Sequence, residues 1–373
     1  MTARQRGPSG PSEDALKAQA RSQADGAELP AEPRGGRRVT ILDVARDAGV
    51  SVGTVSRVIN KNQTVRPELR ERVLGAARAL GYEPDVVAQS LRSQATRAVG
   101  CMVSEVSNPL FAAIVAAAEQ VLRQSAYTMI LANSHDRADY ERDILTLFRR
   151  RRLEGVLLTI SDEQDPRVVE ILSSFNLPVV LIERECPLPV DAATANHYDG
   201  ALQAVNYLLM LQHRRIGLIT VPRTALPGRQ RGRAFEDAYR AAGLEPDPEL
   251  MAFDGFSSDY GYQTAYRMLI SPHPPTAIIA GANQMVGVLK AVRMLNVEVP
   301  GRLSLITIGD TDLASLYSPP ITAVRWEARK VGEAAAQLLI ARLSGEAVDQ
   351  PAQRIVLPTE LVLRQSCARP RQS

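Results

Sequence analysis

The spacing of apolar positions changes character along the chain. Residues 1–36 carry Gly, Pro, Ser, Ala and charge with hardly any large apolar side chain, which predicts a disordered arm. From Val39 the apolar residues take up helical spacing. Ile41, Val44, Ala45 and Ala48 mark one face of a first helix, which Thr40 can cap with Asp43 three residues on. Gly49 stops it and Val50 turns inward. Ser51 caps a second helix whose Val55, Val58 and Ile59 point back at the first, while Val52, Gly53, Thr54, Ser56, Arg57 and Asn60 face outward. A third helix starts at Pro67, with Leu69, Val73, Ala76, Ala77 and Leu80 as its stripe and Gly81 as its stop; Arg70, Arg72 and Arg78 read as its solvated face. Two short helices joined by a glycine turn and backed by a third form a helix-turn-helix, whose second helix can enter a DNA major groove.

Pro84 breaks this pattern, and Asp85 can cap a short helix from Val86 to Arg92, followed by a polar linker, Ser93 to Thr96. A helix so short needs DNA or a second chain to order it. Beyond Arg97, buried-strand runs alternate with amphipathic stretches. The strands are predicted near 98–103, 127–132, 155–160, 178–183, 215–220, 276–281 and 303–309. The helices are predicted at Leu110 to Gln124, Asp139 to Arg150, Arg167 to Phe175, Gly200 to Leu211, Arg231 to Ala242, Tyr260 to Leu269, Gln284 to Leu295 and Ala328 to Leu343. This is the signature of a doubly wound parallel α/β fold, and its length suits two lobes better than one. The expected organisation is a disordered arm (1–36), a helical DNA-binding head (37–83), a hinge helix with linker (84–96), a two-lobed effector-binding and dimerisation core (97–367) and a tail (368–373). Ligands in such cores bind beyond the carboxyl ends of the strands.

Composition narrows the function classes. The chain has 373 residues, 45% of them hydrophobic, and is globular. No run approaches the roughly 18 apolar residues of a membrane span, and the first residues lack a secretory signal's apolar core. Cys101, Cys186 and Cys367 are far apart and suggest reduced thiols in a cytoplasm; with histidines at 135, 197, 213 and 273 unpaired in spacing, no metal or cofactor is expected. Net charge is only +3, yet residues 37–92 hold ten basic against six acidic side chains. The excess therefore sits on the head, as a polyanion-binding module requires, and Arg34, Arg37 and Arg38 could add phosphate contacts. No phosphate-cradling loop, nucleophile elbow or zinc-protease motif occurs, so no enzyme is expected.

The stretch VTILDVARDAGVSVGTVSRVIN (39–60) resembles the helix-turn-helix of the lac-repressor family of bacterial transcription regulators, and GYEPDVVAQSLRS (81–93) is similar to that family's hinge. SNPLF (107–111), HRRIGLI (213–219), GRQRGRAF (228–235), SPPITAV (318–324) and LPTELVLRQSC (357–367) resemble motifs of its effector-binding core. The resemblance implies a homodimeric repressor on a pseudo-palindromic double-stranded operator, controlled by a small molecule, a sugar or derivative, held between two lobes. It implies that Ser51, Val52, Gly53, Thr54, Ser56 and Arg57 face the DNA, with Arg57 suited to a guanine, while Thr40 and Asn60 hold phosphates. Leu91 matches a wedge that opens a base step from the minor groove, with Arg92 beside it. Phe111, Asn196, Asp199, Arg231, Asn283 and Asp310 are the implied effector contacts. Two departures stand out: Ala282 replaces the first member of an Asn-Asp pair, and Gly309 replaces the first of two aspartates. Both count against an ordinary free sugar. The competing readings are an architectural DNA-binding protein without an effector and a transport-type binding protein.

Overall fold

The computed structural model describes residues 39–59, 65–82, 96–347 and 349–371. The expected arm with Arg34, Arg37 and Arg38, and also Asn60, Leu91, Arg92 and the hinge helix, lie outside the described residues. Two compact units divide the chain at Gln94 and Ala95.

In the first unit, α1 (Ile41–Asp47), α2 (Val52–Ile59) and α3 (Pro67–Ala79) enclose a small core of Val44, Ala45, Ala48, Val55, Val58, Val65, Val73, Ala76 and Ala77. The apolar stripes of all three helices meet there as their spacing predicts. Gly49 and Gly81 follow α1 and α3 with φ of +60° and +63°, a conformation a side chain would strain.

The second unit holds two α/β lobes. Among the described residues the first sheet runs β11-β5-β4-β3-β1-β2 and is parallel throughout. Its strands are β1 (Ala98–Val103), β2 (Thr128–Asn133), β3 (Gly155–Leu158), β4 (Val179–Ile182), β5 (Asp191–Ala195) and β11 (Arg354–Leu357). Alternate residues of β1 explain why these runs are almost wholly apolar. Val99, Cys101 and Val103 face α4 (Pro109–Gln124) and α12 (Ala328–Leu343), whereas Met102 faces α5 (Ala138–Arg150) and α6 (Pro166–Ser173).

The second sheet runs β12-β10-β9-β8-β6-β7 and is parallel except for the β10–β12 pair. It comprises β6 (Ile216–Ile219), β7 (Met251–Ala252), β8 (Ala277–Gly281), β9 (Ser304–Ile308), β10 (Thr322–Arg325) and β12 (Glu360–Val362). Helices α7 (His197–Met210) and α8 (Leu226–Ala241) cover one face; α9 (Ser258–Leu269) and α10 (Ala282–Met294) cover the other, and α11 (Asp312–Leu316) follows β9.

Both sheets are doubly wound and parallel as expected, with β12 joining the edge of the second sheet antiparallel to β10. Strands β5, β7, β10, β11 and β12 were not predicted, because they are short or, like DAATA in β5, built of small side chains. The residues assigned to a tail are partly fastened: Ala368 O accepts hydrogen bonds from Ser304 Oγ (3.1 Å) and His213 Nε2 (2.9 Å). No helix of the described residues is long and apolar enough to cross a membrane.

Within the described residues the backbone passes between lobes after β5, after β10 and between β11 and β12. Each passage borders the space between the two sheets, because that is where the carboxyl ends of the strands meet.

Candidate functional site

The head presents the outer side of α2. Ser51 Oγ accepts the Thr54 N–H (3.2 Å) and lies 2.9 Å from Thr54 Oγ1, so the first turn is capped and its hydroxyls face outward. Gly53 and Arg57 are exposed, while Val52, Thr54 and Ser56 are half-buried beside them. Arg57 Nε donates to Gly53 O (3.2 Å), and the guanidinium lies back along the helix over the position where residue 53 has no side chain. Thr40 donates both its N–H (2.9 Å) and its hydroxyl (2.7 Å) to the Asp43 carboxylate. That engagement fixes the start of α1 and turns the expected phosphate ligand toward its own helix. Arg72, read from sequence as part of a solvated face, instead donates from Nη2 to Ala48 O at 2.6 Å and closes the carboxyl end of α1.

The second unit contains a cavity of about 80 Å³ between its lobes. The first lobe contributes Ser104 and Glu105 after β1, Phe111 on α4, Asp136 after β2, and Glu183 and Arg184 after β4. The second contributes Arg231 on α8, Phe256, Asn283 at the start of α10, and Ile308 at the end of β9. His197 and Trp326 enter at two of the passages between lobes, with ring centroids 5.6 Å apart in an edge-on arrangement. Asp136 (φ +55°) and Glu183 (φ +56°) both sit on left-handed backbone, which costs a non-glycine residue about 1–2 kcal/mol and is characteristic of functional loops.

A chain of charge crosses this cavity. Glu183 and His197 are 4% and 3% exposed, and His197 Nε2 hydrogen-bonds to Glu183 Oε2. Arg231 Nη2 lies 3.4 Å from His197 Nδ1, and Nη1 donates to Thr220 Oγ1 at 3.1 Å. Because a guanidinium only donates, His197 Nδ1 accepts and its Nε2–H points at Glu183. Burial, opposed by Glu183, holds the imidazole below its ordinary pKa. Burial pushes the Glu183 carboxyl up, but His197 and Arg231 together hold it below the usual carboxylate range. Burial lowers Arg231 to about 10 and raises Asp136 to about 6. Among the described residues, the buried side-chain atoms without a hydrogen-bond partner are Asp136 Oδ1, Glu141 Oε2, Glu183 Oε1, Arg231 Nε and Trp326 Nε1. All but the Glu141 oxygen belong to residues that line the cavity. Such atoms cost about 1–3 kcal/mol each when left unmade, so their convergence marks a place for a ligand.

Of the sequence-derived effector contacts, Phe111, Arg231 and Asn283 line the cavity and Asn196, Asp199 and Asp310 do not. Asn196 caps α7 by accepting the Asp199 N–H (3.0 Å), and Asp199 accepts from Gln203 (3.0 Å). Of the two residues between them, His197 lines the cavity instead. Asp310 faces away, paired with Arg364 at 2.8 Å. The two departures from the family pattern touch one another. A Cβ on Gly309, whose φ is +114°, would lie 2.8 Å from Ala282 Cβ and 2.6 Å from Leu110 Cδ1. Sequence reasoning missed Asp136, Glu183, His197 and Trp326. Their available signal was position, since each follows a strand's carboxyl end.

Among the described residues no group of three His, Cys, Asp or Glu side chains is arranged to hold a metal ion.

Comparison with known proteins bears on both units. The sequence profile of the bacterial regulatory proteins, lacI family, matches residues 40–85, and that of the periplasmic binding protein-like domain matches residues 205–367. The HTH-type transcriptional regulator RegA of Clostridium saccharobutylicum is 31% identical over 330 residues, covering 88% of this chain and 98% of its own. The HTH-type transcriptional repressor PurR of Mannheimia succiniciproducens is 31% identical with the same coverage. The lac repressor dimer, solved bound to operator and the anti-inducer ONPF, is 25% identical with a TM-score of 0.78, covering 89% of this chain and 100% of its own. The chain therefore belongs to the lacI family of bacterial transcription regulators.

Proposed function

We propose that the protein is a dimeric repressor that binds a pseudo-palindromic operator through α2 and releases or tightens it when a small molecule fills the cavity between its lobes. The observation that carries this reading is the convergence of Arg231 Nε, Trp326 Nε1, Asp136 Oδ1 and Glu183 Oε1, two donors and two acceptors, on one cavity in a chain that also bears the head. A ligand with several hydroxyl groups satisfies such a set, because each hydroxyl both donates and accepts. A phosphate or carboxylate suits it less well. It would meet Arg231 and Arg184 but also Glu105, Asp136 and Glu183. The corner at Ala282 and Gly309 lacks the carboxylate that the family pattern places there for sugar hydroxyls, and Asp136 and Glu183 supply carboxylates from the opposite lobe instead.

On the DNA side, Ser51, Val52, Gly53, Thr54, Ser56 and Arg57 form the proposed reading face. Arg57 swings off Gly53 O to reach a guanine, Val52 meets a thymine methyl, and Gly53 contributes little readout. Asn60 would hold a phosphate, and Leu91 with Arg92 would act in the minor groove.

One experiment on the full-length protein tests both halves. An operator is selected from random duplexes, and sugars, nucleosides and sugar phosphates are screened by thermal shift. Leu91→Ala should weaken the operator complex in an electrophoretic shift at fixed salt, with the circular dichroism spectrum unchanged. Arg231→Ala should keep operator binding while losing the thermal shift with whichever screened compound stabilises the native chain. Unaltered affinity in the first variant, or an unaltered shift in the second, overturns the corresponding half.

A further inference from the structure

Glu163 lies between β3 and α6 in the first lobe, lines no part of the cavity and is 1% exposed. A buried carboxylate of this kind needs partners, and Glu163 finds them in both lobes. Its Oε1 accepts the Leu226 N–H at 2.7 Å, the first N–H of α8 in the second lobe. The same oxygen accepts the Glu185 N–H at 3.2 Å, just past β4 in its own lobe. Its Oε2 receives the Arg229 guanidinium from the next turn of α8. Arg229 continues to Glu185 Oε1 at 2.7 Å, and Glu185 to Arg354 at 3.0 Å. The Glu163 backbone N–H donates to Thr224 O at 3.2 Å, again across the lobes.

These partners are the supports of the cavity walls. Glu183 and Arg184 immediately precede Glu185, and Pro227 and Arg231 flank Arg229 on α8. We propose that Glu163 is a positioning residue, a single carboxylate that clasps the Glu183–Arg184 wall of one lobe to the Arg231 wall of the other and sets the lobe separation at which a ligand is met. The proposal rests on reading the cavity as the effector site, but the clasp itself concerns only the separation of the two walls. The clasp acts without any ligand, so the free protein is held with its walls near each other. An effector then gains affinity, because part of the closure is already made.

The test uses the full-length protein without added ligand. Hydrogen exchange is followed in segments 183–188 and 222–230, and electron–electron distances are measured between spin labels on bioorthogonal residues at exposed Ser173 and Ala242, one in each lobe. Glu163→Ala should raise exchange in both segments together, roughly tenfold or more, and lengthen or broaden the distance distribution. Glu163→Gln, which keeps an oxygen for Leu226 and Glu185 but loses the charge for Arg229, should fall between Ala and native. Arg229→Ala should resemble Glu163→Gln. If exchange rises in 222–230 alone with distances unchanged, Glu163 merely caps α8 and the proposal fails. Distances unchanged in every variant overturn it as well. Absence of any Arg231-dependent thermal shift would defeat the effector reading by itself, and would leave the lobe distances untouched.

Discussion

Glu141 shows what burial does to one side chain in this protein. Its carboxyl is fully buried on α5, with Oε1 accepting the Ser161 N–H at 2.8 Å and lying 3.4 Å from Ser134 Oγ, while Oε2 has no partner. Burial drives its pKa up to about 7, and the Ser161 N–H and Arg184 only partly oppose that, with Asp136 adding to it. An unfolded glutamate titrates near ~4.3, so between there and about 7 the folded chain binds the extra proton. By linkage, stability must then fall as pH rises through that window and level off above it. Glu141→Gln removes the titration and keeps an oxygen for Ser161. The variant should gain on the native protein by at most about 2.5 kcal/mol between pH 5 and pH 8, at ~1.4 kcal/mol for each tenfold change in proton affinity. Denaturant melts at the two pH values measure this, and an equal difference between the proteins at both would refute it. Asp136, pushed to about 6 and coupled to the same Arg184, adds to the slope in native and variant alike.

At the scale of elements, the head illustrates how a helix pair is completed from outside. α1 has only seven residues, too few to persist alone, and its carboxyl end is held by Arg72 from α3 through the 2.6 Å bond to Ala48 O. Arg72→Ala should therefore destabilise the head by about 1–2 kcal/mol, below the ~1.5–3 kcal/mol of a buried hydrogen bond to a charged group because Arg72 is exposed. Exchange of the α1 and α2 amides in the intact chain should rise while the lobes stay protected; unchanged exchange in α1 would show that the bond contributes nothing. This contact was invisible in the sequence, where Arg72 shares its spacing with the surface residues of α3. The three head helices were legible because their apolar stripes share one core, hydroxyl residues start α1 and α2, and glycines follow α1 and α3. Ala328–Leu343 was legible to the residue from its apolar stripe. Strand β5 was not: Asp191–Ala195 has no large apolar side chain, and it is a strand because β4 and β11 flank it. The site was half legible. Arg231 and Phe111 stand within motifs, whereas Glu183 and His197 become neighbours only through the pairing of β4 with β5. Asn196 and Asp199 lie off the cavity and are engaged at the start of α7, because cap chemistry and ligand chemistry use the same polar side chains.

At the scale of the molecule, the arrangement of passages between lobes decides what a ligand can do. Within the described residues the backbone crosses beside His197, beside Trp326 and at Thr359, whose hydroxyl donates to Asn196 O at 3.2 Å. Two of those crossings line the cavity directly, and the third is bonded to the first. A ligand seated against His197 and Trp326 thus touches residues at two of the crossings that join the lobes, so it favours one lobe arrangement wherever its contacts differ between arrangements. If the operator also favours one arrangement, the two bindings are coupled by a single free energy, typically about 1–3 kcal/mol in such proteins. That equality is strict. Suppose a screened compound changes the dissociation constant of the selected operator by some factor between ~5 and ~150. The operator must then change the dissociation constant of that compound in the same direction, by factors whose product over the dimer's two cavities equals the operator's factor. Titration calorimetry of the compound with and without saturating operator, beside fluorescence anisotropy of the operator with and without saturating compound, gives that product and the operator's factor at one salt concentration. Agreement within error is expected, and Glu163→Ala should alter both factors together, because the clasp biases the same lobe equilibrium. Factors that diverge would mean that the compound acts on something other than that equilibrium, such as subunit assembly, and the cavity would lose its place as the switch.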